Sequence, residues 1–169
     1  ASDDPFRSIQ AGINFSSDTD SVTVAAGTYV ENINYNGKNI SIIGEDRETT
    51  IIDGNQNGSV VTIDFDEGGS GNTGTIKNFT ITNGTGTQHP INQMDYYGGG
   101  IYCENGGLIK LENLLIHNNS AIQNGAGIWL QSYHTIIKNV EVYDNISNEG
   151  TEAQGGVTLQ GGTGYLQNC

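Results

Sequence analysis

Apolar residues in this chain fall almost everywhere in short runs that alternate with polar ones, the period of a strand with one buried face. The exception lies near the start. In "PFRSIQAGINF" (residues 5–15), Phe6, Ile9 and Ile13, with Ala11 beside them, fall near one face of a helix, and Asp3, Asp4 and Pro5 stand where a helix N-terminus would have them. The pattern predicts a single short amphipathic helix. A polar turn, "SSDTD", follows. In "SVTVAAGTYVENI" the residues Val22, Val24, Tyr29 and Ile33 then keep near period two around a Gly-Thr turn.

A repeated phrase organises the rest. "IKNFTITNG" (76–84) returns as "LENLLIHNN" (111–119) and "IKNVEVYDN" (137–145), and "LQNC" (166–169) begins it again. Alignment on the asparagine places Asn39, Asn78, Asn113, Asn139 and Asn168 in one column, at intervals of 39, 35, 26 and 29 residues. Ile40, Phe79, Leu114 and Val140 then form one apolar column, and Ile42, Ile81, Ile116 and Val142 a second. "GGGIYC" (98–103), "GAGIWL" (125–130) and "QGGVTL" (154–159) travel with the phrase, each a strand entered through a turn too tight for a side chain.

A fixed phrase at unequal intervals describes a repeat whose strands are constrained and whose loops are free to grow. Short strands, no helical period and a minimum repeat in the twenties predict an all-β fold, a right-handed parallel β-helix whose coils stack about 4.8 Å apart. Its expected layout is one domain over 1–169, with a capping helix at 5–15, coils over 20–169, and loop insertions near 64–74, 84–98 and 145–154. The asparagine column is expected at a left-handed turn, each amide bonded to the next. The phrase stops at Cys169, the first inward residue of its strand, so an uncapped C-terminal coil is expected: a fragment's end, or a face that docks a second copy head to tail, as a homo-oligomer or fibre.

Composition narrows the class. With 25 glycines, about twice average usage, and only two prolines, the 169 residues suit strands joined by tight turns. Six Lys and Arg against 19 Asp and Glu give a net charge of −13, which repels phosphate backbones and anionic lipid and argues against nucleic-acid partners. No run approaches the roughly 18 apolar residues of a membrane span. The Ala-Ser start, the Asn, Thr and Gly content and the scarcity of lysine lead us to expect a processed, secreted or cell-surface protein. Cys103 and Cys169 are too few for a disulfide framework and fall in different columns.

The block "SIQAGI…SVTVAAGTYVENINYNGKNISIIGEDRETTIIDGN" resembles the opening of right-handed parallel β-helix proteins of the pectin-lyase-like superfamily. "GGGIYCENGGLIKLENLLIHNNSA" resembles the coil repeat of that superfamily's uncharacterised secreted bacterial members. The resemblance implies the fold and leaves activity open, because one fold hosts many functions. The catalytic sets of pectinesterases, polygalacturonases and pectate lyases do not occur: "NTG" at 72–74 lacks its aspartate, and Asp3-Asp4 is the only Asp pair. The enzyme reading is thereby weakened.

The outward positions of the Gly-Gly strand place Tyr102 over Trp129 over Thr158, and Glu104 over Gln131 over Gln160. With Tyr96 and Tyr97 from the loop 85–98, Tyr102, Trp129 and Gln131 form a candidate sugar-binding face for an acidic polysaccharide. By resemblance, this is where a substrate groove would lie. The first reading, ahead of a sugar site, is that the loop folds over the two rings and shields them. Asp95 and Glu104 are the candidate catalytic carboxylates. Asp53, Asn55, Asn57 and Asp64 match positions of an EF-hand loop without its flanking helices, and Asp64, Asp66 and Glu67 cluster before a glycine stretch; calcium is the ion either set would hold. Lys38, Lys77, Glu112, Lys138 and Gln167 form an outward row beside the asparagines, read as a solvated edge. The leading expectation is an extracellular structural or surface-binding module; the alternative is a carbohydrate-active module, lyase or hydrolase.

Overall fold

A computed structural model describes residues 5–65, 71–88, 95–148 and 155–169. It is mostly strand, largely parallel, with one short helix, α1 (Ile9–Phe15). Ser8 caps that helix, its hydroxyl accepting from the Ala11 N–H at 3.2 Å. The carboxylate of Glu31 accepts from the N–H groups of Ile9 and Gln10, each at 3.0 Å. At the other end the Lys38 ammonium donates to the carbonyls of Ile13, Asn14 and Ser16 at 2.6–2.9 Å. Lys38 therefore ties the helix to the sheet and is no member of a solvated row. Ile9 and Ile13 are buried as the pattern predicts, but Phe6 lies outside against exposed Phe15, ring centroids 5.3 Å apart. The helix also starts later than expected, because Ser8 provides the cap; Asp3 and Asp4 lie outside the described residues.

The strands are β1 (Ser21–Val24), β2 (Gly27–Val30), β3 (Ile33–Asn34), β4 (Ser41–Gly44), β5 (Thr50–Asp53), β6 (Val61–Asp64), β7 (Thr73–Thr82), β8 (Thr87–Gln88), β9 (Tyr96–Tyr97), β10 (Ile101–His117), β11 (Ser120–Ala121), β12 (Ile128–Tyr143), β13 (Ile146–Ser147), β14 (Val157–Gln160) and β15 (Thr163–Gln167). Most join one large sheet through parallel pairs between successive repeats, such as β7 with β10 and β10 with β12. Among the described residues only β8 and β9 pair antiparallel.

Register puts like on like. Ile76, Leu111, Ile137 and Leu166 align, as do Phe79, Leu114 and Val140, and Ile81, Ile116 and Val142. Ile101, Ile128 and Val157 align beyond the Gly-Gly turns. These columns fill a continuous core in which Phe79, Ile76, Ile81, Ile101, Leu111 and Leu114 are fully buried. No helix among the described residues is long and apolar enough to cross a membrane.

The first repeat departs from the sequence alignment. Ile42 pairs with Ile76 and Ile43 with Lys77, so Ile52, and not Ile42, aligns with Ile81. Asn39 falls one strand early: its Oδ1 accepts from the Thr73 N–H at 2.7 Å, while the amide of Asn78 donates to the carbonyl of Gly44 at 3.0 Å. "KNISI" imitates the phrase in spelling, but β4 begins only at Ser41, two residues past Asn39. From Asn78 onward the column follows the alignment. Asn78, Asn113, Asn139 and Asn168 all have φ between 53° and 64°, and the side-chain amide of Asn113 donates to Asn78 Oδ1 at 3.0 Å and that of Asn168 to Asn139 Oδ1 at 3.1 Å.

A second asparagine corner, formed by Asn119 and Asn145, lies at the end of the same phrase. The Asn119 side chain accepts from the Gly84 N–H at 2.8 Å and donates to Asn145 Oδ1 and to the carbonyls of His117 and Ile81, at 3.0, 3.0 and 3.2 Å. Gly84 takes the equivalent place one repeat earlier because a Cβ there would overlap the carbonyl of Gly99.

Candidate functional site

Period two sends Tyr102 and Trp129 to the outer side of their strands, and parallel register sets one ring on the other: centroids 4.9 Å apart, planes 10° from parallel. The face is not open. The β8–β9 pair carries Tyr97 onto Trp129 at 5.3 Å, and both Tyr102 and Trp129 are only 2 % exposed. The rings are thus a packed, shielded aromatic stack, as the covering-loop reading has it, because the β8–β9 pair sets Tyr97 on Trp129. The backbone of Tyr96 is fixed too, its carbonyl accepting from the Gln123 N–H at 3.0 Å. The indole N–H of Trp129 is buried without a hydrogen-bond partner among the described residues.

The candidate carboxylates are held by the same tyrosines. Tyr102 donates its hydroxyl to Glu104 at 2.7 Å, and Tyr97 donates to Asp95 at 3.2 Å. Burial raises the Tyr102 hydroxyl well above the ordinary tyrosine range, and the bond to Glu104 raises it further. Burial likewise raises the Cys103 thiol, with the charge of Asp64 adding to it, and the wholly buried Tyr35 hydroxyl, which donates to the Thr75 carbonyl at 2.6 Å. Both cysteines are free, Cys103 buried and Cys169 exposed.

These three groups predict an alkaline limit to stability. The folded state keeps protons that the unfolded chain releases near the ordinary values of 9.0 for cysteine and 10.0 for tyrosine. Stability is therefore fully present below about pH 9 and falls as pH rises beyond it, by about 1.4 kcal/mol per pH unit for buried Cys103 alone. Melting temperatures between pH 7 and 11 check this. A flat profile would contradict it, and Cys103→Ala should delay the onset toward pH 10.

Where the outer row continues past the rings, the surface opens. A groove of about 410 Å³ lies beside Asn105–Gly106 of β10, Gln131–Tyr133 of β12 and the Gln160–Gly162 turn after β14. Gln131 pairs in register with Gln160, and a register shift between Cys103 and Gly106 displaces β10 there. Gly162, at φ 64°, lies directly over the carbonyls of Ser132 and Tyr133, which any Cβ would strike. Gln131 and Gln160 are exposed and Tyr133 is 53 % exposed. Ser132 is instead turned inward to Thr135, oxygens 2.6 Å apart. Of the sequence candidates for sugar binding, only Gln131 lines this groove. Tyr133 went unread because it belongs to no strand phrase; the Gln131–Gln160 row and the Gly161–Gly162 pair were its signal.

Of the described metal candidates, Asp53 and Asp64 stand on different strands, β5 and β6, that do not pair with each other. Asp53 closes a turn, accepting from the Asn55 N–H at 2.8 Å, and the Asn57 N–H donates to the Gly54 carbonyl at 3.0 Å. Asp64 stands on β6, which pairs with β3 and β10, whereas β5 pairs with β2 and β7. Asp66 and Glu67 lie outside the described residues. Among the described residues no three His, Cys, Asp or Glu cluster as a metal site would need. His117 stacks on Tyr143 at 4.9 Å, and His134 bonds Thr163 at 2.7 Å. Lys77 pairs with Glu112 at 3.9 Å, and the Lys138 ammonium lies 5.9 Å from the centre of the Tyr165 ring. Compared with protein-family models, curated proteins and solved structures, the chain matches none.

Proposed function

We propose that this chain is a secreted, non-catalytic binding module: a right-handed parallel β-helix of the pectin-lyase-like kind whose stacked turns present a groove to an extracellular polysaccharide. The in-register apolar columns and the two asparagine corners support the winding, since a coil that places each repeat on the last needs the same residue at the same angle. The observation that carries the function is the groove at 131–133 and 160–162: no hydrogen bond within the described residues engages the side chains of Gln131, Tyr133 and Gln160. The non-catalytic half rests on Glu104 and Asp95, each bound to a tyrosine two residues away.

The test is retention of the protein on insoluble cellulose, xylan, chitin and calcium pectate, with reducing ends assayed in parallel. Retention on at least one polymer without new reducing ends is expected. Their appearance would overturn the non-catalytic half, and absence of retention on every polymer the binding half.

A second reading, end-to-end association with another copy, has its own support in the exposed apolar side chains Leu159, Tyr165 and Leu166 of β14 and β15. It requires a molar mass in light scattering that rises with concentration and returns to the monomer value in Leu166→Asp. A mass constant across the series removes this reading.

A further inference from the structure

We infer that the groove beside residues 105–106, 131–133 and 160–162 binds a neutral oligosaccharide, its hydroxyls held by the amides of Gln131 and Gln160 and one ring stacked on Tyr133. This rests on the binding-module reading and commits it to one site and one ligand class. About 410 Å³ falls within the range of small-molecule sites and exceeds what an ion needs. Each glutamine offers a carbonyl acceptor and two N–H donors, the complement of a hydroxyl that both donates and accepts. Their strands are neighbours, about 4.8 Å apart, so both amides reach one sugar or two linked ones. Tyr133 supplies the flat apolar face on which the C–H side of a pyranose packs, at the cost of few rotatable bonds.

Charge decides between classes of glycan. Among the described residues no lysine, arginine or histidine lines the groove, and the chain carries −13 overall. A uronate or phosphate would bring its charge to a site with no counter-ion and a repelling background, losing hydration without recompense. A neutral sugar exchanges hydrogen bonds with water for hydrogen bonds with amides and loses nothing of that kind. The inferred ligand thus differs both in place and in charge from the acidic glycan expected on the Tyr102 and Trp129 face. Of the lining glycines only Gly161 would carry a side chain into open space; a Cβ at Gly106 would meet buried Cys103 and Ile109, and one at Gly162 the carbonyls of Ser132 and Tyr133.

Isothermal titration with cellohexaose, xylohexaose, mannohexaose and hexagalacturonate tests this on the whole chain. The variants are Tyr133→Ala, Tyr133→Phe and the double change Gln131→Ala with Gln160→Ala; these exposed side chains should leave circular dichroism and melting unchanged. At least one neutral hexamer should bind tenfold or more tighter than hexagalacturonate. Its affinity should fall at least tenfold in Tyr133→Ala and in the double variant, and stay within about threefold in Tyr133→Phe. Failure of every neutral hexamer to bind, or wild-type affinity in both alanine variants, overturns the inference. If polysaccharide retention survives those variants, the binding-module reading stands with its site elsewhere. Hexagalacturonate bound tightest, and lost in the variants, leaves the groove in place and overturns the neutral class.

Discussion

Truncation of Phe79 to alanine is expected to cost about 3–5 kcal/mol of folding stability, the range found when a fully buried phenylalanine is removed from a rigid core. Phe79 is completely inaccessible and heads the column continued by Leu114 and Val140. Its neighbour one repeat earlier is Gly44, where a Cβ would come within 3.2 Å of the phenylalanine ring and overlap the Asn78 carbonyl. Large and small residues thus complement each other at the joint where the first repeat slips out of alignment with the rest. The surrounding backbone is tied by sheet hydrogen bonds and cannot collapse into the space, so a cavity should remain. Urea denaturation with an unchanged slope and a lower midpoint would report it. A loss below about 1 kcal/mol would mean that the repeats close up around the gap, and that the column is not a rigid stack.

The second large effect belongs to Asn119. Its replacement by alanine removes the side-chain hydrogen bonds to Gly84, Asn145, His117 and Ile81 at a position only 1 % exposed and leaves the buried Gly84 N–H without its acceptor. A buried group left without a partner costs about 1–3 kcal/mol and the other lost bonds add to that, so a total of roughly 3 kcal/mol or more is expected. Asn113→Gly is the comparison. Glycine tolerates its φ of 53°, the lost amide is half-exposed, and water can replace it, which limits the cost to about 1 kcal/mol. Equal losses in the two variants would show that the two asparagine corners are energetically alike and that burial of Asn119 does not matter.

The two corners were not equally legible. Asn78, Asn113 and Asn139 announce themselves because they stand at a constant offset within the phrase, and a left-handed turn flanked by inward apolar residues favours asparagine. Asn119 and Asn145 repeat just as regularly. Their first counterpart is Gly84, however, and a column that mixes asparagine with glycine looks like an ordinary loop until the Gly84 N–H is seen bonded to the Asn119 amide. Asn39 shows the opposite failure. Its local spelling is right, but β4 begins two residues later, at Ser41, so the strand it seems to open belongs to a different part of the repeat.

The sequence by itself determined that this is an all-β chain with one short helix, which of its apolar residues stack in columns from Phe79 onward, and that Tyr102 sits over Trp129. Those features follow from offsets along the chain, because parallel strands in register turn equal spacing into vertical contact. Only the tertiary structure decided that Tyr97 returns to cover the Trp129 ring, that Lys38 closes the helix, and that a register shift between Cys103 and Gly106 opens a groove beside Gln131, Tyr133 and Gln160. Each depends on where a turn or loop goes after it leaves the sheet. That path is set by contacts between residues distant in sequence, for which no period along the chain exists.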